Sequence, residues 1–259
     1  MEREVSKKLL AVSVVFLFVL PVIVASAFVP SETKTLFTSN NLDVSYATGT
    51  TQQRCTFKAQ GVTWVFFSDG MYMRYASSVD GENFYVSDEK LGVAYRGARW
   101  SVATNGTHVA YARYTMYSHP NYLFIRVGKL SVEGRILWLM GEQLIKEAED
   151  FGDAVIAFDS DGNLWVATEV SKRMKVYFSR GFTYEIEMKL LVIKLILDGE
   201  WKISEERVLD SIRDNARKWY YAPLPMIVSL NKGGVYVAWS SRARFVRGQR
   251  YDNLSLIHI

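Results

Sequence analysis

The chain has one cysteine, Cys55, and three histidines in 259 residues. A single thiol cannot close an internal disulfide, so the fold must be held by its core, and Cys55 reads as a small buried hydrophobe. His108, His119 and His258 have no metal-ligand spacing, so no metal site is expected. Glycine-rich phosphate loops and nucleophile elbows are absent too, and no cofactor is expected. Charge of one sign is also scarce: 31 basic against 27 acidic side chains gives a dispersed net charge of +4. That excludes the concentrated basic face of a nucleic-acid binder.

What the chain has is a recurring hairpin. Its copies are Gly61-Val-Thr-Trp-Val-Phe-Phe-Ser68, Gly106-Thr-His-Val-Ala-Tyr-Ala-Arg113, Gly162-Asn-Leu-Trp-Val-Ala-Thr-Glu169 and Gly233-Gly-Val-Tyr-Val-Ala-Trp-Ser240. Each runs from a glycine into an alternating, aromatic and β-branched strand. Each follows a shorter apolar strand: Cys55 to Ala59, Trp100 to Thr104, Ala154 to Phe158, Met226 to Leu230. The glycines are 45, 56 and 71 residues apart, about the length of a four-stranded propeller blade, with an insertion in the last interval.

A second element follows the first three hairpins. Ser78-Val-Asp-Gly-Glu-Asn-Phe84 has a degenerate copy in Ser131-Val-Glu-Gly-Arg-Ile-Leu137 and a shorter one in Leu197-Asp-Gly-Glu-Trp201. An acid followed by glycine and then an apolar residue is a tight turn into a strand, with the carboxylate able to accept backbone N–H groups. The expectation is an all-β, incomplete β-propeller of about three and a half four-stranded antiparallel blades. Their spans would be Cys55 to Gly92, Arg99 to Glu142 and Gly152 to Leu209, with a fourth opening at Pro225. Two segments fit this plan poorly. Residues 141–150 have helical composition, and residues 204–218 begin like a capping box, although the latter suits a fourth strand equally well.

Ser78-Val79-Asp80-Gly81-Glu82-Asn83-Phe84 resembles a shortened Asp-box (BNR repeat) of the sialidase-like β-propellers, with one residue fewer between aspartate and glycine. The resemblance covers roughly Cys55 to Ser241 and gives Ser78, Asp80, Gly81 and Phe84 a structural turn role. Asp159-Ser-Asp-Gly-Asn-Leu-Trp-Val-Ala-Thr168 also looks like the hairpin of other repeat propellers, including sensor-type ones. In such propellers the resemblance places ligands where the second strand of a blade meets the third and the fourth meets the first of the next blade. That face would receive Asp69, Arg99, Arg113, Glu169 and Arg242, with Ser68, Arg96, Ser241 and the Tyr114 to Tyr122 loop beside them. Arginines, a carboxylate and tyrosines suit an anionic sugar, because guanidinium binds carboxylate bidentately. The family's Phe/Tyr-Arg-Ile-Pro motif is absent, and Leu123-Phe-Ile-Arg-Val127 does not replace it, so no catalytic residue carries over.

The termini bear on compartment and extent. Lys7 and Lys8 precede the apolar run Leu9 to Val24, and Ala25-Ser-Ala27 offers a cleavage site, the layout of an export signal over residues 1–27. Uncleaved, the 20 uncharged residues Leu9 to Phe28 could anchor the chain in a membrane. With residues 1–27 removed, 28 basic and 25 acidic side chains are left from 31 and 27, a net charge of +3. Leu254-Ser-Leu-Ile-His-Ile259 matches the translation of a sequencing adapter, which puts the propeller portion at residues 28–253 and its remaining blades beyond. Lys34 to Phe37 or Leu42 to Thr48 would then pair with a distant last blade.

Three functions are open at this stage. The leading one is a secreted propeller binding extracellular glycan or another surface ligand. The others are a sialidase-like glycoside hydrolase with residues in further blades, and a structural or sensory surface propeller. Trp64, Trp165, Trp239, Phe66, Tyr111 and Tyr236 read as packing between blades, and Tyr114, Tyr117 and Tyr122 as aromatics able to stack on sugar. Asp159, Asp161 and Gly162 suggest a hairpin turn rather than a calcium loop, and Asn105-Gly-Thr107 a turn that happens to be a glycosylation sequon.

Overall fold

The computed structural model describes residues 55–93, 100–115, 120–215, 225–230, 232–246 and 249–259, and every described element is a β-strand. The strands form four antiparallel meanders in chain order. The first sheet is β1 (Thr56–Ala59), β2 (Val62–Ser68), β3 (Met73–Ser78) and β4 (Tyr85–Val86). The second is β5 (Trp100–Thr104), β6 (His108–Tyr114), β7 (Asn121–Leu130) and β8 (Ile136–Trp138), with β9 (Gln143–Ala148) also on β7. The third is β10 (Asp150–Phe158), β11 (Leu164–Phe178), β12 (Gly181–Asp198) and β13 (Glu200–Asn215). The fourth is β14 (Pro225–Ser229), β15 (Val235–Val246) and β16 (Gln249–His258).

The expected hairpins are all present. In the first, Ala59 pairs with Val62 across Gln60 and Gly61, both at positive φ (55° and 75°), the backbone that a two-residue turn between twisted strands requires. Alternation then sends successive side chains to opposite faces, and the faces pack in sequence order. Trp64, Phe66, Met73 and Tyr75 meet Trp100, Val102, Val109 and Tyr111 between the first and second sheets. Ala103, Ala110, Ala112, Leu123 and Ile125, from the other face of the second sheet, meet Ala154, Ile156, Phe158 and Ile193 of the third. Val155, Ala157, Trp165 and Val192 in turn meet Val235, Val237 and Trp239 of the fourth. The two middle sheets are therefore buried on both faces, which is why their inner strands read as continuous apolar runs. Burying each large side chain contributes roughly 1.5–3 kcal/mol.

Three expectations need correction. First, residues 143–148, of helical composition, form strand β9; residues 200–215 form β13, the fourth strand that the sequence also allowed there. Ser204 caps no helix: its hydroxyl donates across the ladder to the Lys194 carbonyl at 3.3 Å. β13 is an edge strand carrying Lys202, Glu205, Glu206 and Arg207, the charged edge that discourages further pairing, and this gives it a helix-like composition. Second, β11 does not end at Glu169 but runs to Phe178, and β15 runs past Ser240 to Val246. Third, the fourth sheet has a third strand beyond its hairpin. Residues 254–258 lie in it, with Val237 opposite Ile257 and Ala238 opposite Leu256.

Candidate functional site

The turn between β3 and β4 is built around Asp80. Its Oδ1 accepts the N–H groups of Glu82 (2.8 Å) and Asn83 (2.7 Å) and the Ser78 hydroxyl (2.9 Å), while Oδ2 accepts the Asn83 amide at 2.7 Å. Gly81, at φ 77°, donates its N–H to Ser78 Oγ at 2.9 Å. These bonds, led by those from Asn83, hold the Asp80 carboxyl well below the usual carboxylate range. Phe84 is half-buried where the chain enters β4. Asn83, which sequence reasoning did not single out, supplies two of the donors.

The related turns use other means. At the β7–β8 turn the Ser131 hydroxyl, not the Glu133 carboxylate, accepts the Arg135 N–H at 3.1 Å. Gly134 there accepts the Ser77 hydroxyl through its carbonyl at 2.8 Å, fastening the second sheet to the first. At the β12–β13 turn Asp198 pairs with Lys202 at 3.0 Å.

The expected ligand-face residues are engaged separately. Asp69 closes the β2–β3 turn by accepting the N–H groups of Met71 (2.9 Å) and Tyr72 (2.7 Å), and its other oxygen takes Arg74 Nε at 2.5 Å. Burial pushes its carboxyl up, but the Tyr72 and Met71 N–H groups and Arg74 together bring it below its ordinary value. Arg113 grips Glu142, with Nε at 2.6 Å from Oε1 and its terminal nitrogen on Oε2, and its guanidinium lies 4.9 Å from the Phe124 ring centre. Such a bidentate pair, only partly exposed, leaves little of the guanidinium for an incoming carboxylate.

Tyr111 also donates to Glu142 Oε1, at 2.8 Å. A tyrosine paired with a glutamate can serve as an activated nucleophile, but this setting is wrong for it. Tyr111 is fully buried in the core between the first two sheets, and Glu142 is already committed to Arg113. Burial, and then the negative charge of Glu142, raise the phenol far above its ordinary value, so the oxygen stays protonated.

Glu169 is buried in the middle of β11, opposite Leu190. Its side chain crosses Gly152, where an added Cβ would stand 2.9 Å from Glu169 Cβ and 2.8 Å from Oε2. Arg242 lies within β15, near the register shift between Ser241 and Arg244. Arg96, Arg99, Tyr117 and His119 lie outside the described residues, as do residues 1–54 with the export signal and both candidate closing strands. Tyr114, expected to be available for stacking, is buried against Phe151 at 6.2 Å. Tyr236, expected to pack, is 41% exposed beside His258.

A cavity opens elsewhere. It has a volume of about 740 Å³ and is bounded by β5, β10 and β14, the first strands of the second, third and fourth sheets, towards the turns that join β5 to β6 and β10 to β11. Strand direction puts these turns at the opposite end of the sheets from Asp69 and Arg113. Asn105, Thr107, Asp161 and Ser229 supply polar lining, and Met226 and Val228 exposed apolar lining.

The turns around the cavity are closed by side-chain hydrogen bonds. Asn105 Oδ1 accepts the N–H groups of Thr107 (3.1 Å) and His108 (2.8 Å). Asp159 accepts Trp165 Nε1 at 2.8 Å, the Asn163 amide at 2.9 Å and the Asp161 N–H at 3.0 Å. Burial pushes the Asp159 carboxyl up, but the bonds from Trp165 and Asn163 outweigh it and the net shift is downward. Among the described residues no group of three or more histidine, cysteine, aspartate or glutamate side chains could hold a metal ion. Compared with known proteins, the sequence matches no family model and no curated protein.

Proposed function

We propose that this chain is an exported, propeller-type module that binds an extracellular glycan or a chemically similar surface ligand. Four successive antiparallel meanders, packed face to face in chain order, support the propeller reading. The layout of residues 1–27 supports export. The carbon-rich faces of a sugar pack on apolar side chains, while its hydroxyls need carboxylate, amide and hydroxyl partners. The observation that carries the proposal is therefore the mixed lining of the 740 Å³ cavity, where Met226 and Val228 stand beside Asp161 and Ser229. Binding is a stronger reading than hydrolysis because Arg113 and Glu142 neutralise each other and Tyr111 is shut away from solvent.

The test is titration of the purified chain against a panel of neutral and acidic oligosaccharides, with Asp161→Asn and Ser229→Ala as variants. The expected result is saturable binding weakened about tenfold or more by Asp161→Asn, with the thermal midpoint unchanged. Binding untouched by both changes would place the ligand elsewhere. Turnover of an acidic glycoside would restore the hydrolase.

A further inference from the structure

The β11–β12 hairpin outruns its neighbours. β10 leaves β11 at Ser171 and β13 leaves β12 at Glu185, whereas β11 and β12 stay paired to Phe178 and Gly181. From the Met174–Glu185 pair to the tip, this two-stranded arm extends about 14 Å at roughly 3.4 Å per residue.

Its composition differs from the rest of the chain. Beyond the Met174–Glu185 pair the arm holds Lys175 and Arg180 and no acid; Lys172 and Arg173 lie just below, with Glu185 at the base and Glu187 opposite Lys172. The tip exposes Tyr177 (72%), Phe178 (56%) and Phe182 (49%). Register places Arg173, Lys175, Tyr177, Phe182 and Tyr184 on one face. There the cations lie over the rings: Arg173 is 3.9 Å from the Tyr184 ring centre and Lys175 is 3.8 Å from that of Phe182.

Exposed aromatics at a tip, ringed by cations and free of acids, match the boundary of an anionic bilayer. There rings sit at headgroup depth, and basic side chains meet phosphates and carboxylates. Sugar stacking fits less well, because the cations already cover the ring faces of Tyr184 and Phe182. We propose that this arm docks the protein on anionic phospholipid, independently of the cavity and of the N-terminal apolar segment.

The test uses the full chain carrying Cys55→Ser, so that one introduced cysteine holds an environment-sensitive fluorophore. One version places it at the arm tip by Phe178→Cys, and the control places it at Val79→Cys on the β3–β4 turn. Both share the N-terminal segment, so a difference between them reports the arm. Vesicles with about 30% phosphatidylserine should blue-shift the tip label only, and high salt should reverse the shift. Lys175→Gln with Arg180→Gln should weaken that response roughly thirty-fold, at about 1 kcal/mol per basic residue. No shift at the tip, an equal shift on pure phosphatidylcholine, or an equal shift at position 79 would each overturn the proposal. So would a tip response to a soluble sulfated polysaccharide with none to vesicles.

Discussion

The first and third sheets treat the ends of their matching hairpin strands in opposite ways. In the first, β2 stops at Ser68 because Asp69 captures two backbone N–H groups and Arg74, closing a tight turn. In the third, Glu169 stands at the Ser68 position, one residue earlier than Asp69, and its carboxylate lies over Gly152 while β11 continues to Phe178. An acid at a strand end is thus not one signal. A short side chain that reaches its own backbone ends the hairpin. A longer one turned inward leaves the backbone free to go on pairing, and β12 supplies the partners.

The largest expected effect separates the packed part of a hairpin from its free part. Trp64 and Phe66 of β2 are fully buried, so Trp64→Ala should cost about 3–5 kcal/mol by denaturant titration. Tyr177→Ala on the arm of β11 should stay within about 0.5 kcal/mol of the parent. A loss at Tyr177 comparable to that at Trp64 would mean that the arm is not free. Next comes the glycine under Glu169. Gly152→Ala sets a methyl 2.9 Å from Glu169 Cβ, with no flexible end to give way, and should cost about 1–3 kcal/mol. Gly92→Ala should cost about as much, because its methyl would meet Arg113 Cδ at 2.6 Å and disturb the pair with Glu142. Gly61→Ala makes a useful contrast: it meets no atom, and its cost would come only from positive φ.

How much of this was legible follows from the range of the interactions. The glycine-led hairpins depend on turn chemistry and period-two alternation, both local, and their strands begin within a few residues of where the sequence predicts, although β11 and β15 run on past the predicted ends. The Asp80 turn is local too, and only the donors from Asn83 were missed. What the sequence could not show depends on distant partners. Arg113 looks like a free cation until Glu142 arrives from 29 residues away. Tyr114 looks exposed until Phe151 covers it. β13 could be read as helix or strand because an edge strand faces water and carries charge on both sides. The cavity was missed because its lining comes from three sheets, and no motif within one of them marks it.

Acid should reveal which carboxylates close turns. Asp69 and Asp159 titrate lower in the folded chain than in the unfolded one. Their contribution is therefore complete above the unfolded value, about pH 4, and is lost as pH falls through the folded values. Melting temperatures should decline as pH falls below about 4. Asp69→Asn should flatten part of that decline, whereas Ser131→Ala, which removes the neutral hydroxyl that caps the β7–β8 turn, should lower the melting temperature without changing the slope. An equal change of slope in both variants would mean that the decline does not come from the turn carboxylate.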